Sequence, residues 1–327
     1  MTTAATTVTA LCGGVGAARL LRGLQEAVAP GGLVAVVNVG DDCDLHGLAI
    51  SPDLDTVTYT VSGQVDGERG WGLVGETWAA LAALERFAAV RPGGSQAGAT
   101  WFALGDRDLA THLYRSGRRA EGAPLSTVTG EVAAAHGLRF RLLPVTDDRL
   151  RTHLSVTSEA DPAVAEDLDF QSWFVGRRHR GRVTAVRFEG AEEARPAPGV
   201  LEALAGAERI VLCPSNPVVS IGPLLAVAEV RQVMLDRRDD VVAVSPIVAG
   251  AALKGPAASL LADLGHEVSV VGVARLYASV AGTLVIDEAD AELAAAVEAE
   301  GLRCVVAATV MHDQQAMTAL AELVCRC

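Results

Sequence analysis

Thr7-Val8-Thr9-Ala10-Leu11-Cys12-Gly13-Gly14-Val15-Gly16-Ala17-Ala18-Arg19-Leu20-Leu21-Arg22-Gly23-Leu24 reads as a short buried strand, a glycine turn and a helix. Val8–Cys12 is an apolar run of strand length, and from Ala17 onward apolar residues recur at helical spacing. Glycine at 13, 14 and 16 permits positive φ and close backbone approach. The helix start offers unpaired N–H groups and a partial positive charge to an anion. A diphosphate suits that position, although tight strand-to-helix turns also need glycine for structural reasons alone. Arg19 stands where the dinucleotide fingerprint has Gly or Ala, and no Gly-x-x-x-x-Gly-Lys-Ser/Thr run occurs. Both an NAD-binding and a P-loop reading are therefore disfavoured. A dehydrogenase would also want an acid at the end of the second strand, near which Asn38 stands instead.

That second strand, Leu33–Val39, runs into Asn38-Val39-Gly40-Asp41-Asp42, then Asp44, His46 and Ser51-Pro52-Asp53-Leu54-Asp55-Thr56. Five carboxylates fall within residues 41–55. A solvated turn capping the next helix accounts for one or two of them. Carboxylates that converge repel and raise one another's pKa, so a true cluster requires a metal, a proton or a cationic ligand. The segment reads as a site for a divalent cation and a phosphate.

Further strand signals lie at Arg209–Cys213, Val241–Ser245 and Val305–Ala308, with alanine-rich helical segments between several of them. The alternation predicts an α/β fold, a doubly wound, mainly parallel Rossmann-like sheet with an inserted helical subdomain. Residues 1–105 are expected to form the first part of a nucleotide-binding core, residues 106–180 an inserted, mostly helical subdomain, and residues 181–327 the second part of the core. Met1–Thr6 reads as a short tail. In such sheets ligands lie beyond the carboxyl ends of the strands, where Gly13–Gly16, Asn38–Asp42, Pro214–Pro217 and Pro246–Gly250 all fall.

Half of the 327 residues are apolar and only 4% are aromatic, a profile of helices packed on a Val-rich parallel sheet. The net charge of −13 argues against a general nucleic-acid binder, so anionic ligands must be met locally. Lys254 is the sole lysine. Six cysteines are scattered without a C-x-x-C pair, which leaves zinc and a disulfide framework unsupported. Cys12 and Cys213 read as buried small hydrophobes. No apolar run approaches bilayer-spanning length and no signal-peptide pattern precedes the first strand, so a cytoplasmic protein without a membrane partner is expected.

In Leu104-Gly105-Asp106-Arg107-Asp108, Asp106 or Asp108 can cap the following helix, and Arg107 suits phosphate oxygens. His112 fits either a hydrogen-bonding role or a core-edge position. Arg177-Arg178-His179-Arg180 reads as a solvated basic run. Cys213-Pro214-Ser215-Asn216-Pro217 joins a strand end to a helix, leaving Ser215, Asn216 and Ser220 as short polar groups on a rigid backbone, suited to a nucleotide or to helix capping. Ser245-Pro246-Ile247 repeats the idea at the next strand end.

Together, Gly13–Gly16, Asn38–Asp42, Ser51-Pro52-Asp53-Leu54-Asp55-Thr56-Val57, Leu104–Asp108, Pro214-Ser215-Asn216-Pro217-Val218-Val219-Ser220-Ile221-Gly222-Pro223 and Ser245-Pro246-Ile247 resemble the 2-phospho-L-lactate transferase / phosphoenolpyruvyl transferase family of coenzyme F420 biosynthesis, over nearly the whole chain. The resemblance implies Mg²⁺-dependent transfer of a phosphoenolpyruvyl or 2-phospho-L-lactyl group from a guanosine diphosphate conjugate to the terminal hydroxyl of the deazaflavin Fo, with GMP released, in a homodimer. It implies Asp41, Asp53 and Asp55 as catalytic residues and Asp41 and Asp55 as metal ligands. Gly13, Gly14, Gly16, Asn38, Ser215, Asn216 and Ser245 are expected around the donor. Asp55, Trp101 and Arg107 are expected at Fo, with Trp71, Trp78 and Phe102 as further candidates for stacking a flat ring. The competing reading is a nucleotide-sensing regulator resembling the related family that binds UDP-sugars, which shares the glycine turn and should lack the Ser-Pro-Asp-Leu-Asp-Thr run.

Overall fold

The computed structural model describes residues 6–93, 95–158 and 164–327. Of the tail expected at Met1–Thr6, residues 1–5 lie outside the described residues. Among the described residues, seven strands make one sheet: β1 (Val8–Cys12), β2 (Leu33–Val37), β3 (Arg141–Pro144), β4 (Arg209–Leu212), β5 (Val241–Val244), β6 (Thr283–Asp287) and β7 (Arg303–Ala307). Their spatial order is β7-β6-β5-β4-β1-β2-β3, and every neighbouring pair is parallel. The strand order reverses between β1 and β4, which makes that gap the topological switch point of a doubly wound sheet.

Burial explains the strand composition. Every residue of β1, β5 and β6 is buried, because helices cover both faces of the sheet. Helix α1 (Gly14–Ala27) buries Ala17, Ala18, Leu20, Leu21 and Leu24 and packs against the C-terminal helix Gln314–Arg326. A Cβ on Gly23 would stand 2.1 Å from the Met317 carbonyl oxygen, so only glycine allows these two helices so close.

Two strands carry too little signal to be read from the sequence. β3 is an edge strand of Arg, Leu, Leu and Pro, too short and too mixed to signal itself, and β6 is a short apolar run with no periodicity to separate strand from helix.

The segment 106–180 is not a separate helical insert. Helices α3 (Asp108–Ala120) and α4 (Leu125–Ala135) lie on the crossover from β2 to β3, after α2 (Pro52–Val61). Beyond β3, Arg151–Thr157 becomes the middle strand of a three-stranded antiparallel sheet, flanked by Ala165–Asp169 and Val183–Glu189. Thr152, Leu154 and Val156 face inward while their neighbours are half-exposed, a period of two that the surrounding charges mask in the sequence. Among the described residues no single helix is long and apolar enough to cross a membrane.

Candidate active site

The glycine turn after β1 and the Cys213–Ser220 segment after β4 meet across the switch point. The Gly13 N–H donates to Ser215 Oγ at 3.2 Å. A Cβ on Gly16 would lie 2.4 Å from the Pro214 carbonyl oxygen, and Gly14 has φ +75°. The glycines thus answer to close packing as well as to any anion. A Cβ on Gly13 would sit 2.5 Å from Asp53 Oδ2 and 2.9 Å from Ser220 Cβ. Gly13→Ala is accordingly expected to lower unfolding stability by about 1–3 kcal/mol, as overpacked sites do. Urea denaturation checks this, and an unchanged midpoint would mean that the loop has slack.

The acidic segment converges because of a hairpin. Cys43–Leu45 and Leu48–Ile50 pair antiparallel around His46 (φ 57°) and Gly47 (φ 75°), the left-handed pair that a two-residue hairpin turn requires. The chain therefore returns, and Ser51 Oγ donates to Asp42 Oδ2 at 2.9 Å. Pro52 opens α2, so Asp53 and Asp55 fall in its first turn, where the helix dipole favours negative charge. Asn38 joins the parts. Its amide donates to Asp53 Oδ2 (2.9 Å) and to the Val219 carbonyl (3.4 Å), while its Oδ1 accepts from the Gly40 N–H (2.7 Å). Asp44 sits exposed on the hairpin and takes no part, so four of the five carboxylates are gathered.

These four are poor in solvent. Asp41, Asp53 and Asp55 are each 6% exposed. Burial, reinforced by neighbouring Asp53, pushes the Asp41 carboxyl far above the usual range. Burial likewise pushes Asp42 up to about 7, against the pull of Arg151 and the Ser51 hydroxyl. Asp53 is pushed up to about 6 by burial, against hydrogen bonds from Asn38 and the Gly14 N–H. The amide of the glycine turn thus faces Asp53. Asp55 differs from the others in that both its oxygens engage the Arg115 guanidinium, Oδ2 at 3.1 Å.

Arg115 was not among the residues singled out in the sequence, nor was Arg151 beside Asp42. For Arg115 a signal exists. Asp108, His112 and Arg115 are spaced i, i+4 and i+7, which places three charged or polar side chains on one helical face.

The other expected residues divide. Asn216 caps its helix through Oδ1 to the Val218 and Val219 N–H groups (2.9 and 3.3 Å), leaving a buried Nδ2 with no partner. Ser245 Oγ donates to the Ile247 carbonyl (2.9 Å) and accepts from its N–H (3.1 Å), so that hydroxyl serves its own turn. Arg107 is exposed, donates to the Val74 carbonyl at 2.5 Å and bonds none of the four carboxylates. Trp101 packs edge-on against Phe102 beside Leu45, Ile50 and Leu104. Trp71 is 43% exposed, and the Arg69 guanidinium lies 5.5 Å and 5.2 Å from the rings of Trp71 and Trp78.

A divalent cation suits this donor set. Asp41 Oδ1 and Asp42 Oδ1 are buried and accept no hydrogen bond. Among the described residues no group of three or more His, Cys, Asp or Glu has metal-holding geometry. Mg²⁺ commonly uses one or two carboxylates and completes its shell with water and phosphate oxygens. The residues therefore fit a cation that arrives with a diphosphate, with Asp41 offering the open oxygen. Asp55 retains a second lone pair on each oxygen.

A family model for 2-phospho-L-lactate transferase CofD matches residues 8–325. A phosphoenolpyruvate transferase of Streptomyces griseus is 41% identical over 318 residues, covering 96% of each chain. One of Nocardia farcinica is 43% identical over 282 residues, covering 86% of this chain and 82% of its own. The crystal structure of a UPF0052 family member from Bacillus halodurans aligns over 98% of this chain and 99% of that one, with a TM-score of 0.59 at 16% identity, a likeness of fold alone. A match running through the glycine turn, the acidic hairpin and both halves of the sheet places the whole architecture in one lineage, and the chain belongs to the family of 2-phospho-L-lactate transferase CofD.

Proposed function

We propose that this chain transfers a phosphoenolpyruvyl group from a guanosine diphosphate conjugate to the terminal hydroxyl of the deazaflavin Fo, releasing GMP, with Mg²⁺ bound. The observation that carries the reading is the set of buried carboxylates with unpartnered oxygens at the switch point, beside a glycine turn. Family membership supports the reaction class, and the names of the relatives favour the enolpyruvyl over the lactyl donor.

In this reading the hydroxyl oxygen attacks the phosphorus bearing the enolpyruvyl group. The bridging P–O bond breaks and its electrons leave with GMP. Such a transfer needs in-line placement, charge neutralisation and a proton acceptor, and no covalent enzyme intermediate. Asp53 takes the proton. Burial brings its carboxyl to about 6, near the working pH of a general base, and Asn38 fixes one of its oxygens. Asp41 and Asp55 would hold Mg²⁺, which when bound would supply charge neutralisation for the diphosphate. The start of α1 and the Ser215–Asn216 loop receive the diphosphate, the free Asn216 amide donating to it. Trp71, with Arg69 against it, offers a half-exposed π face to a flat acceptor.

The test is direct. Purified protein is mixed with the enolpyruvyl or lactyl guanosine diphosphate conjugate, Fo and Mg²⁺, and GMP release and product mass are followed. Fo-dependent GMP release with the enolpyruvyl donor is expected. No release with either donor, together with binding of a UDP-sugar, would replace the transferase with the regulator.

A further inference from the structure

Helix α3 turns a polar face inward. Arg115 is 2% exposed and His112 1% exposed, both within reach of Asp55. Arg115 grips both Asp55 oxygens as a fork, and Nη1 also lies 3.3 Å from the Ala49 carbonyl and 3.3 Å from His112 Nδ1. A guanidinium only donates, so His112 Nδ1 carries the lone pair at that contact and Nε2 carries the proton. His112 Nε2 in turn stands 3.1 Å from Asp108 Oδ2. The Tyr59 hydroxyl, from α2, closes the chain at 2.7 Å from Asp108 Oδ1 and 2.8 Å from Thr111 Oγ1. His112 Nε2 stands at ion-pair distance from Asp108 without hydrogen-bond geometry, while the hydrogen bonds of Arg115 to Asp55 and of Tyr59 to Asp108 and Thr111 tie α2 to α3.

We infer that Arg115, backed by His112, is a positioning residue that sets the direction in which Asp55 presents its remaining lone pairs to a divalent cation. Asp55 stands close enough to Asp42 for their charges to repel, and a single bond would leave its carboxyl free to rotate. The planar fork removes that freedom. A lysine supplies the charge as a point and cannot reproduce the planar pair of parallel bonds. The inference rests on the proposed function for the reaction that the cation serves, and on the geometry for the rest.

The test compares wild type with R115K, R115M and H112Q. Mn²⁺ binding in the presence of GDP is read by electron paramagnetic resonance, folding by thermal melting, and transfer by GMP release. R115K is expected to melt cooperatively yet bind Mn²⁺ about 10–100-fold more weakly, the usual effect of losing a group that orients a metal ligand. Its kcat should fall at least about ten-fold with the donor KM changed much less, since positioning acts on the reacting geometry. H112Q should show a smaller loss in the same direction. If R115M fails to fold, R115K and H112Q still decide the matter. R115K with wild-type Mn²⁺ affinity and turnover would overturn the inference. Should wild type bind Mn²⁺ and GDP but never release GMP, the transferase reading fails, while the Mn²⁺ comparison still decides the role of Arg115.

Discussion

Asp41→Asn is expected to abolish turnover and, in the same molecule, to raise the melting temperature near neutral pH. The Asp41 carboxyl is 6% exposed, stands against Asp53, and has a buried Oδ1 with no partner. Burial and that neighbour push its pKa far up, which is a cost to folding at any pH where the unfolded chain ionises freely. Every tenfold gain in proton affinity on folding corresponds to about 1.4 kcal/mol of that cost. Asparagine is isosteric and neutral in both states, so the cost of taking up a proton on folding disappears. It also removes the charge that holds the cation in the proposed mechanism. Gain of stability with loss of activity is the signature of a site kept strained for function. The checks are GMP release and scanning calorimetry in chelator. Turnover within ten-fold of wild type would take Asp41 out of the chemistry, and a lowered melting temperature would mean that its carboxylate is compensated.

The second large effect is on pH. Without a divalent cation, the protein is expected to lose stability as pH rises from about 4 to about 7. Unfolded aspartates release their protons near 3.8, whereas folded Asp53 and Asp42 hold theirs to about 6 and about 7. Between those limits the folded chain binds more protons than the unfolded one, so unfolding becomes easier as pH rises. The contribution is complete below the unfolded value and gone above the folded ones. Each group adds at most about 1.4 kcal/mol per pH unit within its window. Half-buried His136, lowered by burial, works the other way over part of the range, as do Glu131, lowered by Arg118, and Glu267, lowered by Ser269 and Arg275, at its acid end, so the fall is expected to be clearest above pH 5. Mn²⁺ with GDP should reverse the trend, raising the melting temperature strongly at pH 8 and little at pH 5, because ionised carboxylates bind the ion and protonated ones do not. Melting curves across pH with and without the ion decide it. Stability that climbs from pH 5 to 8 in chelator would contradict the buried acid cluster.

The sequence by itself determined the local grammar of this protein. Val8–Cys12 followed by three glycines and an apolar helix has few other solutions, because backbone preference and side-chain periodicity act over a handful of residues. The same holds for β2 with the acids after it and for Pro52 opening α2 with two aspartates in its first turn. Strand-end placement then put Asn38, Ser215 and Asn216 on the ligand side of the sheet. Only the tertiary structure decided which of these groups meet and which of them lose their water. Gly13 and Ser215 are 202 residues apart, and Asp55 and Arg115 are 60 apart. Asp44 lies among the acids in sequence, yet the hairpin turns it to solvent. Edge strand β3 exists because β2 offers it a parallel partner, and Arg151–Thr157 is a middle strand because two neighbours flank it. The physical reason is one of range. Propensity and period are properties of adjacent residues, whereas desolvation and ion pairing belong to a group's whole surroundings, and those are assembled by elements from both halves of the chain.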